Sequence, residues 1–200
     1  MQVNLKDDLL LAKCFHGITA WDNATWYCNK EILEKLWHWW IEVQVNLKDD
    51  LLLPKGRNGT TTWDRAAWKC KKEILEKLCG WGREVQVSLK DGLLRAEGFD
   101  GLTAWDRAAE NGNKEILEKL WGWGREVQVN LKDELLLTKG LDGLTAWDRA
   151  TENGNEEILE KLWGWSREVQ VNLKDDLLLA KCFHGPTAWD RAAFKRTKSF

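Results

Sequence analysis

The feature that most constrains this chain is a repeat of 42 residues. Trp21, Trp63, Trp105, Trp147 and Trp189 are spaced 42 residues apart, and so are Gly17, Gly59, Gly101, Gly143 and Gly185. With the repeat opening at that glycine, four complete copies span 17–58, 59–100, 101–142 and 143–184. Residues 1–16 match the end of a copy and 185–200 match the start of one. Copies 101–142 and 143–184 differ at 8 of 42 positions, and segments 2–22 and 170–190 differ at one of 21, Ile18 against Pro186. Such likeness implies recent duplication. A unit this short cannot bury its apolar face alone, so neighbouring copies must stack. Residues 1–200 are therefore expected to form one repeat array, with no linker inside it.

The copy 101–142 shows how one unit folds. Thr103 and Asp106 have the spacing of a reciprocal cap at a helix start, and Thr19/Asp22, Thr61/Asp64, Thr145/Asp148 and Thr187/Asp190 repeat it. Trp105, Ala108 and Ala109 then share one face of a short first helix. Gly112 suits a left-handed turn and Asn113 caps a second helix. Ile116, Leu117, Leu120 and Trp121 form the apolar stripe of that helix. Gly122 and Gly124 are expected to end or fray it. The alternation from Glu126 to Asn130 predicts an extended connector. Asn130 with Asp133 predicts a short third helix over Leu131 to Thr138, and Gly140 closes the unit.

These residues resemble the ankyrin repeat. The family opens with Gly-x-Thr-Pro-Leu-His-x-Ala-Ala and a glycine turn, then runs Ile-Val-x-x-Leu-Leu-x-x-Gly-Ala. Here the opening is Gly101-Leu102-Thr103-Ala104-Trp105-Asp106-Arg107-Ala108-Ala109, with the turn at Gly112. The register holds without a gap from Gly101 to Val127. Trp stands for the family's Leu, Asp for its His, and its Pro is absent. The family period is about 33 residues; the extra residues here follow Val127 and form either a helical extension or a lengthened hairpin. The resemblance implies an all-α fold, an α-solenoid of ankyrin-like repeats with a 42-residue period. It also implies a non-catalytic scaffold that binds a protein or peptide on its concave and loop face. A HEAT or armadillo array, with a period of about 40–47 residues, is the alternative architecture. A fragment or decaying copy of a longer repeat protein is the alternative function.

Aromatic use supports duplication, since Trp is far commoner than its relatives: 15 Trp against 5 Phe and 1 Tyr. The Trp105 row is expected to be the core seam. Trp39, Trp81, Trp123 and Trp165 form a second row that either packs or faces a partner. Copies 17–58 and 59–100 are expected to be the weaker ones. There Cys28 and Cys70 occupy the left-handed position of Gly112, and Cys79 replaces a Trp. Trp26 and Trp68 replace Glu110 and Glu152 near the end of the first helix, and would form an apolar patch if exposed.

The net charge of −2 argues against nucleic acid as a partner. No apolar run is long enough for a membrane span and no signal peptide is visible at the N-terminus. Five Cys in no C-x-x-C arrangement suit a reducing, cytoplasmic setting and no structural zinc. No phosphate-binding loop, nucleophile elbow or zinc-protease motif occurs, so neither a catalytic residue, a cofactor nor a metal is expected. Candidate binding positions are those that vary at the repeat junctions: Phe99, Asp100, Leu141, Asp142, Phe183 and His184. Arg65, Arg107, Arg149 and Arg191 are expected to add a basic row on the first helices that docks an acidic partner. Neither end of the chain carries a clear polar capping copy, so either the chain is expected to be part of a longer array or an end face is expected to pair with another copy in end-to-end self-association.

Overall fold

The computed structural model describes residues 12–14, 18–43, 52, 61–69, 72–88, 94, 95, 97, 98, 100–172, 175, 176, 187 and 190. Among these residues the regular structure is helical and there is no strand. The chain divides into two compact halves, Met1–Phe99 and Asp100–Phe200. The boundary falls one residue before a repeat junction, so each half holds two helical repeats. The first contains α1 (Ala20–Trp26), α2 (Lys30–Glu42), α3 (Thr62–Trp68) and α4 (Lys72–Glu84). The second contains α5 (Ala104–Glu110), α6 (Lys114–Glu126), α7 (Ala146–Asn153) and α8 (Glu156–Glu168). Each repeat is thus a helical hairpin, a short helix followed by one of 13 residues.

Local chemistry sets these boundaries. Reciprocal caps open α1, α3, α5 and α7. In α5 the Thr103 amide donates to Asp106 Oδ2 at 3.0 Å, and the Asp106 amide donates to Thr103 Oγ1 at 3.3 Å. Thr187 and Asp190 make the same bonds. The short helices end in left-handed residues, Gly112 (φ 70°), Gly154 (φ 69°) and Cys28 (φ 54°). Asn113 and Asn29 then cap α6 and α2 by accepting from the amides of Ile116 and Ile32, both at 3.1 Å. Asn155 acts differently. Its side-chain amide crosses to the preceding repeat and donates to the carbonyls of Ala109 (2.9 Å) and Glu110 (3.0 Å).

Three expectations about the rest of the unit are corrected. Gly122 and Gly124 do not end the second helix, because α6 continues to Glu126. The segment after it is a turn, not an extended connector. Gln128 sits at φ 54°, its amide bonded to Arg125 O (3.2 Å) and the Val129 amide bonded to Gly124 O (3.0 Å). Gln86 and Gln170 repeat this at φ 56° and 57°. This is the double bond pattern that normally places glycine in the left-handed position. The third helix is the shorter Lys132–Leu136, of π pitch, with Leu135 and Leu136 buried. Its wider turn shows in the Leu137 amide, which bonds Lys132 O at 2.9 Å.

The core of each half is a tryptophan cluster. Trp21, Trp63, Trp105 and Trp147 are buried, as the 42-residue spacing predicts; Trp189 lies outside the described residues. Trp21 packs on Trp40 and Trp81 at ring centroid distances of 5.0 and 5.7 Å. Trp105 packs on Trp121 and Trp165 at 6.1 and 5.8 Å. A fully buried Trp contributes up to about 4 kcal/mol of apolar burial. The second row divides: Trp81 and Trp123 are buried, Trp165 is half-buried and Trp39 is exposed. Within each half these rings bind successive repeats. Trp37 stacks on Trp81 (4.8 Å, 13°) and Trp121 on Trp165 (4.7 Å, 11°).

Candidate partner-binding surface

The arginine row does not lie on the surface. Arg65, Arg107 and Arg149 are buried, each with a side chain only 6% exposed. Each of these guanidiniums pairs with at least one aspartate. Arg65 Nη1 pairs with Asp22 Oδ1, while Asp22 Oδ2 holds the cap of α1 at 3.0 Å from the Thr19 amide. One carboxylate therefore closes its own helix and anchors the arginine of the next repeat. In the second half Arg149 Nε lies 3.8 Å from Asp106 Oδ1, and Arg149 Nη2 grips both oxygens of Asp142 at 2.8 and 3.0 Å. Arg107 Nη2 pairs with Asp100 Oδ2 at 2.5 Å. Arg65, Arg107 and Arg149, expected to form a docking row, are instead internal latches. Removing one partner of the two most deeply buried pairs, Arg65 with Asp22 or Arg149 with Asp106, costs about 3–5 kcal/mol. Arg191 lies outside the described residues.

The junction residues split in the same way. Asp142 is part of a tight turn closed by the Gly140 amide on Leu144 O (3.0 Å), and it accepts from the Leu144 amide at 3.1 Å. Asp100 likewise accepts from the Leu102 amide at 3.3 Å. Both aspartates serve the turn and its arginine. Gly140 has no room for a side chain, since a Cβ there would come within 2.7 Å of Arg149 Nη2 and 2.8 Å of Leu102 Cδ2. Leu141 is left at the tip, 74% exposed. Phe99, Phe183 and His184 lie outside the described residues.

Asp106 shows the cost of this arrangement. Burial pushes its carboxyl above the ordinary 3.8, against the Thr103 backbone and side-chain bonds and the Arg149 charge, which pull it down. The ion pairs between second helices are exposed and weaker. Lys77 meets Glu34 at 2.9 Å, Lys161 meets Glu118 at 2.6 Å and Lys114 meets Glu157 at 3.1 Å. The Lys77 bond holds the Glu34 carboxyl below its usual range, and the Glu157 bond raises Lys114.

One group of aromatic side chains gathers at the hairpin tips, while Ile32, Trp39, Ile41, Leu141 and Trp163 are exposed elsewhere. In the first half, Trp26 at the end of α1 meets Trp68 at the end of α3 edge to face at 5.8 Å. Lys69 Nζ lies 4.3 Å from the Trp26 ring centre. Tyr27 beside them is 77% exposed, and Trp68 is 38% exposed. The cluster sits on the tips of the two hairpins. At the same positions the second half has Glu110 with Asn111 and Glu152 with Asn153. The sequence flagged Trp26 and Trp68 by their replacement of glutamate; Tyr27 and Lys69 follow them directly in the chain but carried no separate signal. An open groove of about 540 Å³ along α2 and α4 is lined by Glu31, Glu34, Lys35, Trp37, His38, Lys77 and Trp81.

Among the described residues no group of three or more His, Cys, Asp or Glu is placed to hold a metal ion. No described helix is long and apolar enough to cross a membrane. The fold and surface define a helical protein of capped, tryptophan-packed hairpins. No family model and no curated protein matches this chain.

Proposed function

We propose that this chain is a non-catalytic protein-binding scaffold, built as an α-solenoid of ankyrin-like repeats and acting in the cytoplasm. The aromatic cluster at Trp26, Tyr27 and Trp68 is the observation that carries this reading. The residues common to the repeats are spent on caps, latches and ring stacking. The residues that differ between repeats include those at the hairpin tips, where the first half exposes rings and the second half carboxylates. Rigid repeats with variable tips suit recognition, because the scaffold orders the contact residues before the partner arrives. Exposed Trp and Tyr side chains beside a lysine suit a protein or peptide that offers an apolar side chain flanked by carboxylates.

The test is affinity capture with cross-linking by the native chain and by a Trp26→Ser, Trp68→Ser variant shown to be folded by circular dichroism. Losing two central aromatic contacts should lower retention of specific partners roughly thirtyfold. Equal retention of the same proteins by the folded variant would overturn the reading.

A further inference from the structure

The tryptophans that join successive repeats come as a pair two residues apart on α2, α6 and α8, while α4 keeps only the second, Trp81, with Cys79 in the first position. The first member of the pair meets the second member on the following repeat: Trp37 on Trp81, and Trp121 on Trp165. Among the described residues, two members of this scheme are exposed and have no stacked ring from a neighbouring repeat, although Trp163 packs within its own repeat on Trp147 at 6.2 Å. Trp39, on α2, holds the position of Trp81 and Trp165 and is 51% exposed. Trp163, on α8, holds the position of Trp37 and Trp121 and is 37% exposed. One is the receiving half of the stack and the other is the donating half.

The surroundings repeat the same complementarity. Ile32 beside Trp39 is 46% exposed, whereas Ile74, Ile116 and Ile158 at its position are buried. Glu34 pairs with Lys77 and Glu118 with Lys161; the same register sets Glu160 on α8 against Lys35 on α2, both exposed. Arg125 pairs with Glu168, and the same register sets Arg167 against Glu42, also both exposed. Only the counterpart of the Lys114–Glu157 pair is unfavourable, placing Glu156 against Glu31.

We propose that the α8 face of one copy docks on the α2 face of a second copy, Trp163 stacking on Trp39, so that the repeat-to-repeat contact continues between molecules. The occupant is a second copy because only the chain's own repeat interface supplies both the ring pair and the two ion pairs in this register. The contact is head to tail, so each added copy presents the same unfilled face and the assembly grows. This inference rests on the repeat-stacking reading and needs no other protein. A monomer that still captured partners through Trp26 and Trp68 would overturn it alone.

The experiment is light scattering of the native chain across a concentration series, then of two end-blocked variants, Trp39→Asp and Trp163→Asp. The native chain should grow with concentration past twice the 23.2 kDa chain mass. Each variant alone should stay monomeric, and an equimolar mixture should form a dimer and nothing larger, since one intact face of each kind remains. Glu160→Lys should dissociate the assembly, and combining it with Lys35→Glu should restore it; both sites are exposed, so this pair reports on docking even if a tryptophan variant misfolds. A native chain monomeric at every concentration, a single end-blocked variant that still grows, or no restoration by the charge swap would each overturn the proposal.

Discussion

At the scale of single residues, the positions that look polar and available are the ones the fold has already used. Gln128 is the clearest cost. It adopts φ 54° at the end of α6, where a side chain is disfavoured by about 1–2 kcal/mol and glycine is not. Gln128→Gly should therefore stabilise the chain by about 1 kcal/mol after the entropy of glycine is offset. Urea unfolding followed by circular dichroism checks this, and a lower midpoint would show that the glutamine side chain has a role of its own. Asp106 adds a pH dependence. Its folded pKa lies above the ordinary value, so its proton is held more tightly in the folded chain than in the unfolded one. The stability this group contributes is full below about 3.9, the ordinary unfolded value, and is lost as pH rises through the folded value. The unfolding free energy of the native chain relative to Asp106→Asn should fall from acid to neutral pH. A difference that rises with pH would mean that the Arg149 charge outweighs desolvation.

At the scale of elements, two glycines of α6 have opposite reasons to be there. Nothing lies within 4 Å of a Cβ placed on Gly122. A Cβ on Gly124 would come within 2.8 Å of Leu131 Cδ2 and 3.2 Å of Leu135 Cδ1, where the π-helical segment packs back on α6. Gly122→Ala should raise stability by about 1 kcal/mol through helix propensity alone. Gly124→Ala should gain less than that or lose stability, because packing takes back the propensity. Thermal melts of the two variants decide it, and equal gains would mean that the packing against Leu131 is loose. The same close approach bears on why Gly124 does not end the helix: the residues after it fold back over it. Periodicity in the sequence registers a glycine as a breaker; it carries no information on what approaches the helix from outside.

At the scale of the whole molecule, nearly identical repeats give two halves with different surfaces. Both halves bury the first-helix tryptophans and stack a second-helix pair. Among the described residues the first half gathers Trp26, Tyr27 and Trp68 at its hairpin tips, and the second half has Glu110 and Glu152 at the positions of Trp26 and Trp68; Phe194, in the same slot, lies outside the described residues. The first half also places Cys28 at φ 54°, where Gly112 and Gly154 serve the second. The turn glycine lost from this repeat thus lies beside the exposed rings. A tip that no longer needs the best turn for folding is free to vary for contact.

Much of the local structure was legible from residue spacing. Each Thr and Asp three apart fixes a helix start, because the cap is made within one turn. Gly112 fixes the hairpin turn, and the apolar spacing fixes which faces meet. These signals are local, and covalent geometry enforces them wherever the residues occur. The role of the arginines was not legible. Arg149 reaches Asp106, which lies 43 positions back, and a turn whose aspartate, Asp142, looked like a recognition tip. Whether such a charge faces water or a carboxylate depends on which helices lie beside it. The sequence by itself determined the helical hairpins and their tryptophan seam. Only the packing of one hairpin on the next decided which side chains were latches and which were left exposed, because burial belongs to pairs of elements and not to any one of them.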